Sequence, residues 1–226
     1  MLLDDLWFIK DNAVICEAAF CKLTDKNKMG WTKNYLVNST FKSSGVGCEA
    51  IDLSVGELKA LDVKSNQVRS YLHSSNSNAF NSFTNAGFSR IGRSLRFIAA
   101  ATRERHPAIK LAHYCSAFES LFSTDSAELS HKLSERVAIF LKGYGFDPVE
   151  VFDDIKSFYG IRSKVTHGDS LKAGKEQQLS DMSQKCDNYL RVILNYLFDD
   201  EKLLLLFDGK KEGFENYFKN ELLVTK

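Results

Sequence analysis

FDPVEVFDDIKSFYGIRSKVTHGD, Phe146 to Asp169, is the stretch whose reading decides the fold. Asp147 is a natural helix N-cap, Pro148 suits a first turn, and Glu150 stands three residues after the cap in capping-box position. Gly168 offers a left-handed residue just past the end, so the stretch predicts a helix over 148–167. Its apolar stripe passes through Val151 or Phe152, Ile155, Phe158, position 162 and Val165, at steps of three and four. Position 162 is Arg. A guanidinium on a core-facing stripe needs a carboxylate or a phosphate, because a stranded interior charge is strongly destabilising.

His167 follows in the last turn, where the negative end of the helix dipole favours a cation and where a proton donor would be poised. Positions five apart lie about 140° apart around an ideal helix. Arg162 and His167 therefore do not share a face of one straight helix. Either the helix end unwinds at His167, or a second copy of the helix supplies the missing partner across a symmetric interface. Gly160, inside the same helix, costs about 1 kcal/mol relative to Ala and suggests close approach of another helix. Lys164 shares the His167 side and is either a phosphate contact or a solvated lysine.

The chain has 226 residues, 44% of them hydrophobic, enough for one large domain or a domain with an appendage. Its net charge of +1 gives no global attraction to nucleic acid, so any polyanion contact must come from a local patch. The five cysteines are odd in number and lack a CxxC pair, which argues against a disulfide framework or a zinc knuckle and suits reduced thiols. MLLDDLWFIK is acidic and too short in its apolar run to be a signal peptide, and LLLLF at 203–207 is far short of a membrane span. The expectation is a cytoplasmic protein without membrane contact, metal site or cofactor.

Outward from the deciding helix the pattern is mostly helical. Residues 1–50 hold short apolar runs, LWFI, AVICEAAF and NYLVNSTF, that read equally as strands or short helices. Ser54 with Glu57 forms a capping box that opens a short helix to about Leu61, and Ser65 opens a second through Leu72. The Ser- and Asn-rich segment 73–89 reads as a loop and places the main boundary there. A helix over 87–105 sets Ile91, Leu95, Ile98 and Thr102 on one side and Arg93, Arg96 and Arg103 on another, a basic stripe that is either a solvated face or a phosphate contact. Pro107 starts a helix with Leu111, Tyr114 or Cys115, Phe118, Leu121 and Phe122 inward and Glu119 at the edge of the core. ELSHKLSERVAIFL at 128–141 buries Leu129, Leu133, Val137 and Phe140. After the deciding helix, a last long helix carries Leu179, Met182, Cys186, Tyr189, Ile193 and Tyr196 or Leu197. Phe214, Phe218 and Leu222 mark a terminal helix. The fold class is therefore mainly α: an antiparallel helical bundle over 86–200, an N-terminal region 1–85 of mixed, α+β character, and a helical extension over 201–226.

A cation in a cleft and an imidazole near neutrality are a minimal kit for cleaving RNA without a metal. The 2′-hydroxyl attacks the phosphorus, the imidazole moves a proton, and the guanidinium holds the non-bridging oxygens. No glycine-rich phosphate loop and no HExxH offers a competing chemistry.

The strings SAFESLFS at 116–123, ELSHKLSERVAIFL, and FYGIRSKVTHG at 158–168, in that order, resemble the HEPN superfamily and most of all its ApeA-like branch. The resemblance covers about residues 87–200. It implies an all-α domain that forms a homodimer, with a composite cleft between two copies of the Arg-x(4 to 6)-His helix and metal-independent endoribonuclease activity in phage defence or toxin-antitoxin growth arrest. By position, Arg162 and His167 are then the catalytic pair, Glu119 orients the Arg, and RNA and an antitoxin or regulatory protein are the partners. Ser163 departs from the Asn, Asp or His that active members often carry after the Arg; its hydroxyl can hydrogen-bond a phosphate but carries no charge. Lys164, Arg93, Arg96 and Arg103 are the expected phosphate-binding residues. The alternative is a non-catalytic dimeric module that binds RNA, a nucleotide or a partner protein.

Overall fold

The computed structural model describes residues 2–16, 18–25, 28–34, 38–45, 50–75, 77, 83–85, 87–125, 128–169 and 174–223. In chain order the elements are α1 (Leu2–Leu6), the short strand β1 (Ile15–Cys16), β2 (Ala19–Asp25), β3 (Lys28–Asn34), the short strand β4 (Asn38–Ser39), α2 (Val55–Ser74), α3 (Arg90–Arg103), α4 (Pro107–Phe122), α5 (Leu129–Lys142), α6 (Pro148–His167), α7 (Glu176–Asp199), α8 (Glu201–Asp208) and α9 (Lys211–Leu223). The chain is mainly α, as its periodicity demands, and no helix among the described residues is long and apolar enough to cross a membrane.

Local chemistry sets the helix ends. The Asp147 carboxylate accepts hydrogen bonds from the backbone N–H of Val149 at 2.8 Å and Glu150 at 3.3 Å, and Gly168 closes α6 at φ 75°. Glu150 does not complete a capping box; its carboxylate instead accepts from Lys185 at 2.8 Å, tying α6 to α7. At α2 the capping box is complete, with Ser54 and Glu57 exchanging backbone and side-chain bonds. The helix expected to stop at Leu61 runs on to Ser74, because Leu61, Ser65, Val68 and Tyr71 keep one buried stripe in phase. Ser65 is inside that stripe and caps nothing.

The core is centred on α4, which packs against α3, α5, α6 and α7. Leu111, Tyr114, Phe118, Leu121 and Phe122 are fully enclosed, as are Ile193, Leu194 and Leu197 of α7. At the C-terminus Phe207 and Phe218 meet Phe122 edge-on, with Phe214 wedged against both. Leu222, expected inward, is 52% exposed because α9 runs on past the end of the core. Of the alternatives at the end of α7, Leu197 is buried and Tyr196 faces out, stacked on Tyr144.

The boundary expected at 73–89 does not separate two cores. Trp7, Phe8, Val68 and Tyr71 belong to the same hydrophobic cluster as the helices beyond it. The Trp7 indole donates to Asp187 at 2.5 Å, the Tyr114 hydroxyl donates to the same carboxylate at 2.8 Å, and Arg191 closes the network as an ion pair. Asp187 is 1% exposed, so its charge rests on these three donors. Burial nevertheless pushes its carboxyl up, with Arg191 opposing. Ser180 and Ser183 of α7 donate to the carbonyls of Ser44 and Ser43, and the enclosed Lys110 ammonium donates to the carbonyls of Phe41 and Ala101 at 3.0 and 2.8 Å.

The exception is the antiparallel pair β2 and β3. Its register sets Phe20 opposite Lys33, Lys22 opposite Trp31 and Thr24 opposite Met29. Phe20, Leu23, Met29 and Trp31 are each more than half exposed, so this hairpin stands off the helical core.

Candidate functional site

Arg162 emerges on the inner side of α6, in register with Val151, Ile155 and Phe158, as its spacing requires. Across from it α4 presents Glu119. The Arg162 Nη2 to Glu119 Oε1 distance is 3.4 Å, with the two side chains 26% and 20% exposed. That is an ion pair without a close hydrogen bond: Glu119 Oε1 is buried and accepts no hydrogen bond from the described residues. The guanidinium also lies over the Tyr159 ring, 5.3 Å from its centroid. Burial raises the Tyr159 phenol, and the negative charge of Glu119 raises it further. Arg162 is thus held on a carboxylate and an aromatic face while its fork of donors stays open toward solvent.

Beyond Phe158 the character of α6 changes. No residue from Tyr159 to His167 is buried, including the apolar Ile161 and Val165. The helix does not unwind at its end. Asp169 N–H reaches the Lys164 carbonyl at 2.9 Å and Gly168 N–H reaches that of Val165 at 3.3 Å, a Schellman closure that keeps His167 helical. His167 is exposed and falls with Gly160, Ser163 and Lys164 on an i, i+3, i+4, i+7 stripe on the outer side. Within one chain, therefore, Arg162 and His167 face apart.

The close helix approach expected at Gly160 is not met within the chain, for a Cβ there would touch nothing within 4 Å. Instead Gly160 and Lys164 border a hollow of about 210 Å³ shared with Lys175, Gln178 and Met182 of the α7 end. Two ammonium groups on one hollow suit an anion.

The basic stripe of α3 lies elsewhere. Arg93 donates to the Asn85 carbonyl at 3.0 Å, and Arg103 pairs with Asp4 at 2.5 Å. Arg96 and Arg103 line a mostly apolar cavity of about 380 Å³ between α1, α2 and α3, to which α6 contributes nothing. The structure thus brings Arg162 to Glu119, sets Ser163, Lys164 and His167 on the opposite side of the same helix, and keeps Arg93, Arg96 and Arg103 apart from all of them.

Two residues of this region, Tyr159 and Lys175, are not among the candidate site residues read from the sequence. Tyr159 stands three positions before Arg162 on a helix, a usable signal for ring–guanidinium contact. Lys175 has none, since the turn between α6 and α7 decides where it comes to rest. Among the described residues no group of three or more His, Cys, Asp or Glu is arranged to hold a metal ion. No family model, curated protein or solved structure matches this chain, so the reading of the site rests on its residues and their geometry.

Proposed function

We propose that this chain is a metal-independent endoribonuclease of HEPN type that acts as a homodimer, with Arg162 and His167 as its catalytic pair, in phage defence or toxin-antitoxin growth arrest. The observation that carries the reading is the Arg162 guanidinium, lodged on Glu119 and Tyr159 with donors left over, at the root of a helix end that buries none of its residues. A second chain whose His167 stripe met the Arg162 side of this α6 would cover the partly buried Ile161 or Val165. It would also bring the imidazole of one chain toward the guanidinium of the other. The resemblance of the segments at 116–123, 128–141 and 158–168 to the ApeA-like branch gives the same pairing.

In such a cleft an RNA phosphate takes the free edge of Arg162, with Lys164 and the Ser163 hydroxyl beside it. The 2′-oxygen forms a bond to phosphorus as the P–O5′ bond breaks, and the imidazole of His167 relays the proton from the 2′-hydroxyl side to the departing 5′-oxygen. The products are a 2′,3′-cyclic phosphate and a 5′-hydroxyl. Arg162 holds the charge that builds on the non-bridging oxygens. Glu119 keeps the guanidinium in place and is a positioning residue.

Ser163 favours a second reading, a dimeric module that binds RNA, a nucleotide or a partner protein without cutting, because an uncharged hydroxyl leaves the phosphate one charge short. One experiment separates the two. Wild type, Arg162→Ala and His167→Ala are incubated with RNA in EDTA, and cyclic-phosphate ends are measured. The nuclease reading expects cleavage by wild type and a loss of about 10²- to 10⁴-fold in each variant, with melting temperature and dimer mass unchanged. Wild-type protein that is dimeric by light scattering yet leaves RNA intact refutes it.

A further inference from the structure

The β2–β3 hairpin has no part in the site above, and its composition is unlike the rest of the chain. Residues 19–34 hold four lysines and one aspartate, a net +3, inside a chain whose total is +1; everything else together is slightly acidic. The register of the two strands puts Phe20, Lys22, Met29, Trp31 and Lys33 on one face. On that face the Lys22 ammonium lies 5.9 Å from the Trp31 ring centroid and the Lys33 ammonium 5.5 Å from that of Phe20. Trp31 is 65% exposed and Phe20 64%.

Leaving two large aromatic rings in water on a two-stranded ribbon is unfavourable unless something covers them. The lysines between them say what. Phe20 and Trp31 are diagonal neighbours, roughly 7–8 Å apart, far enough for each ring to take its own base. A lysine beside each ring stands where the phosphate of a stacked nucleotide passes. A protein partner would meet net charge at the centre of the patch, where interfaces are depleted of lysine, and duplex would offer no open base faces. We propose that this face is a stacking platform for single-stranded RNA. RNA as the occupant rests on the nuclease reading; single-strandedness rests on the hairpin alone.

The chain has two tryptophans. Trp7 is 2% exposed, so a bound strand can reach only Trp31. Full-length His167→Ala protein, which binds without cutting, is titrated with a 12-nucleotide oligouridylate while tryptophan fluorescence is followed. The expected result is quenching and, by anisotropy of the same oligouridylate carrying a fluorophore, affinity reduced about 5- to 100-fold by Trp31→Ala and by Phe20→Ala. Lys22→Ala with Lys33→Ala should flatten the log affinity against log salt slope by about 1.4, roughly 0.7 for each lost phosphate contact. All variants should melt with wild type, since these side chains pack on nothing in the core. The platform is overturned if Trp31 is not quenched, if duplex RNA binds as well as the single strand, or if oligodeoxyuridylate binds more tightly than RNA. It is equally overturned if Trp31 becomes shielded without RNA as molecular mass rises, or if only phosphatidylserine vesicles bind. Cleavage by wild type without any Trp31 effect refutes the platform and leaves the nuclease. Trp31 stacking without cleavage refutes the nuclease and leaves a platform for single strands.

Discussion

From Pro148 to Phe158, α6 buries Val151, Ile155 and Phe158 against α4 and α5; from Tyr159 to His167 it encloses no side chain fully. The apolar pattern does not stop at the change, for Ile161 and Val165 continue it, but their cover becomes partial. The first half is held by full burial and the second by partial packing of Tyr159, Ile161 and Val165, its Schellman closure and one ion pair. A side chain in the second half is free to meet a ligand because little of the fold depends on it. That separation lets Arg162 stand on the core-facing stripe while staying part-exposed.

The comparison breaks most easily at Phe158. Its truncation to Ala should cost about 3–5 kcal/mol, read from urea midpoints, whereas Lys164→Ala should stay within about 0.5 kcal/mol. Equal losses would mean that the two halves are not distinct. Lys110 of α4 tests burial elsewhere in the core through pH. Burial lowers its ammonium to about 8, so between pH 8 and its unfolded value of about 10.4 the unfolded chain holds a proton that the folded chain has released. Stability relative to Lys110→Met should therefore rise with pH across that window, by at most about 1.4 kcal/mol per pH unit. Comparison at each pH cancels Cys186, whose buried thiol titrates high beside Cys115 and acts in the opposite sense. A flat or falling difference would show that the ammonium is not desolvated. The smallest effect sharpens the exposed half. Nothing lies within 4 Å of a Cβ at Gly160, so Gly160→Ala should stabilise the monomer by up to about 1 kcal/mol. If the partner helix lies on that stripe, the same change weakens the dimer, seen by sedimentation at falling concentration.

Much of α6 was legible because its signals are local. Asp147, Pro148 and Gly168 act within one turn of themselves, and the inner position of Arg162 follows from its spacing to Ile155 and Phe158. The Glu150 capping box failed for a non-local reason: Lys185 of α7 competes for the carboxylate. Ser65 misled in the same way, since a cap signal inside an unbroken buried stripe loses to the stripe. The N-terminal region was opaque because its anchor, Trp7 on Asp187, joins residues 180 apart in sequence. The basic stripe on α3 was visible as a pattern, but its place beside α1 and α2, away from α6, depends on how three helices meet.

What the sequence determined by itself is the helical content, the ends of α6 and the presence of a charge on its inner stripe, all consequences of periodicity and of caps that act over a few residues. Only the tertiary structure decided that α6 stays wound through His167, that Lys175 comes to rest beside Lys164, and that the β2–β3 hairpin carries its rings into water. Partners of this kind are chosen by packing between elements distant along the chain, and no local spacing encodes which surfaces a fold will leave uncovered.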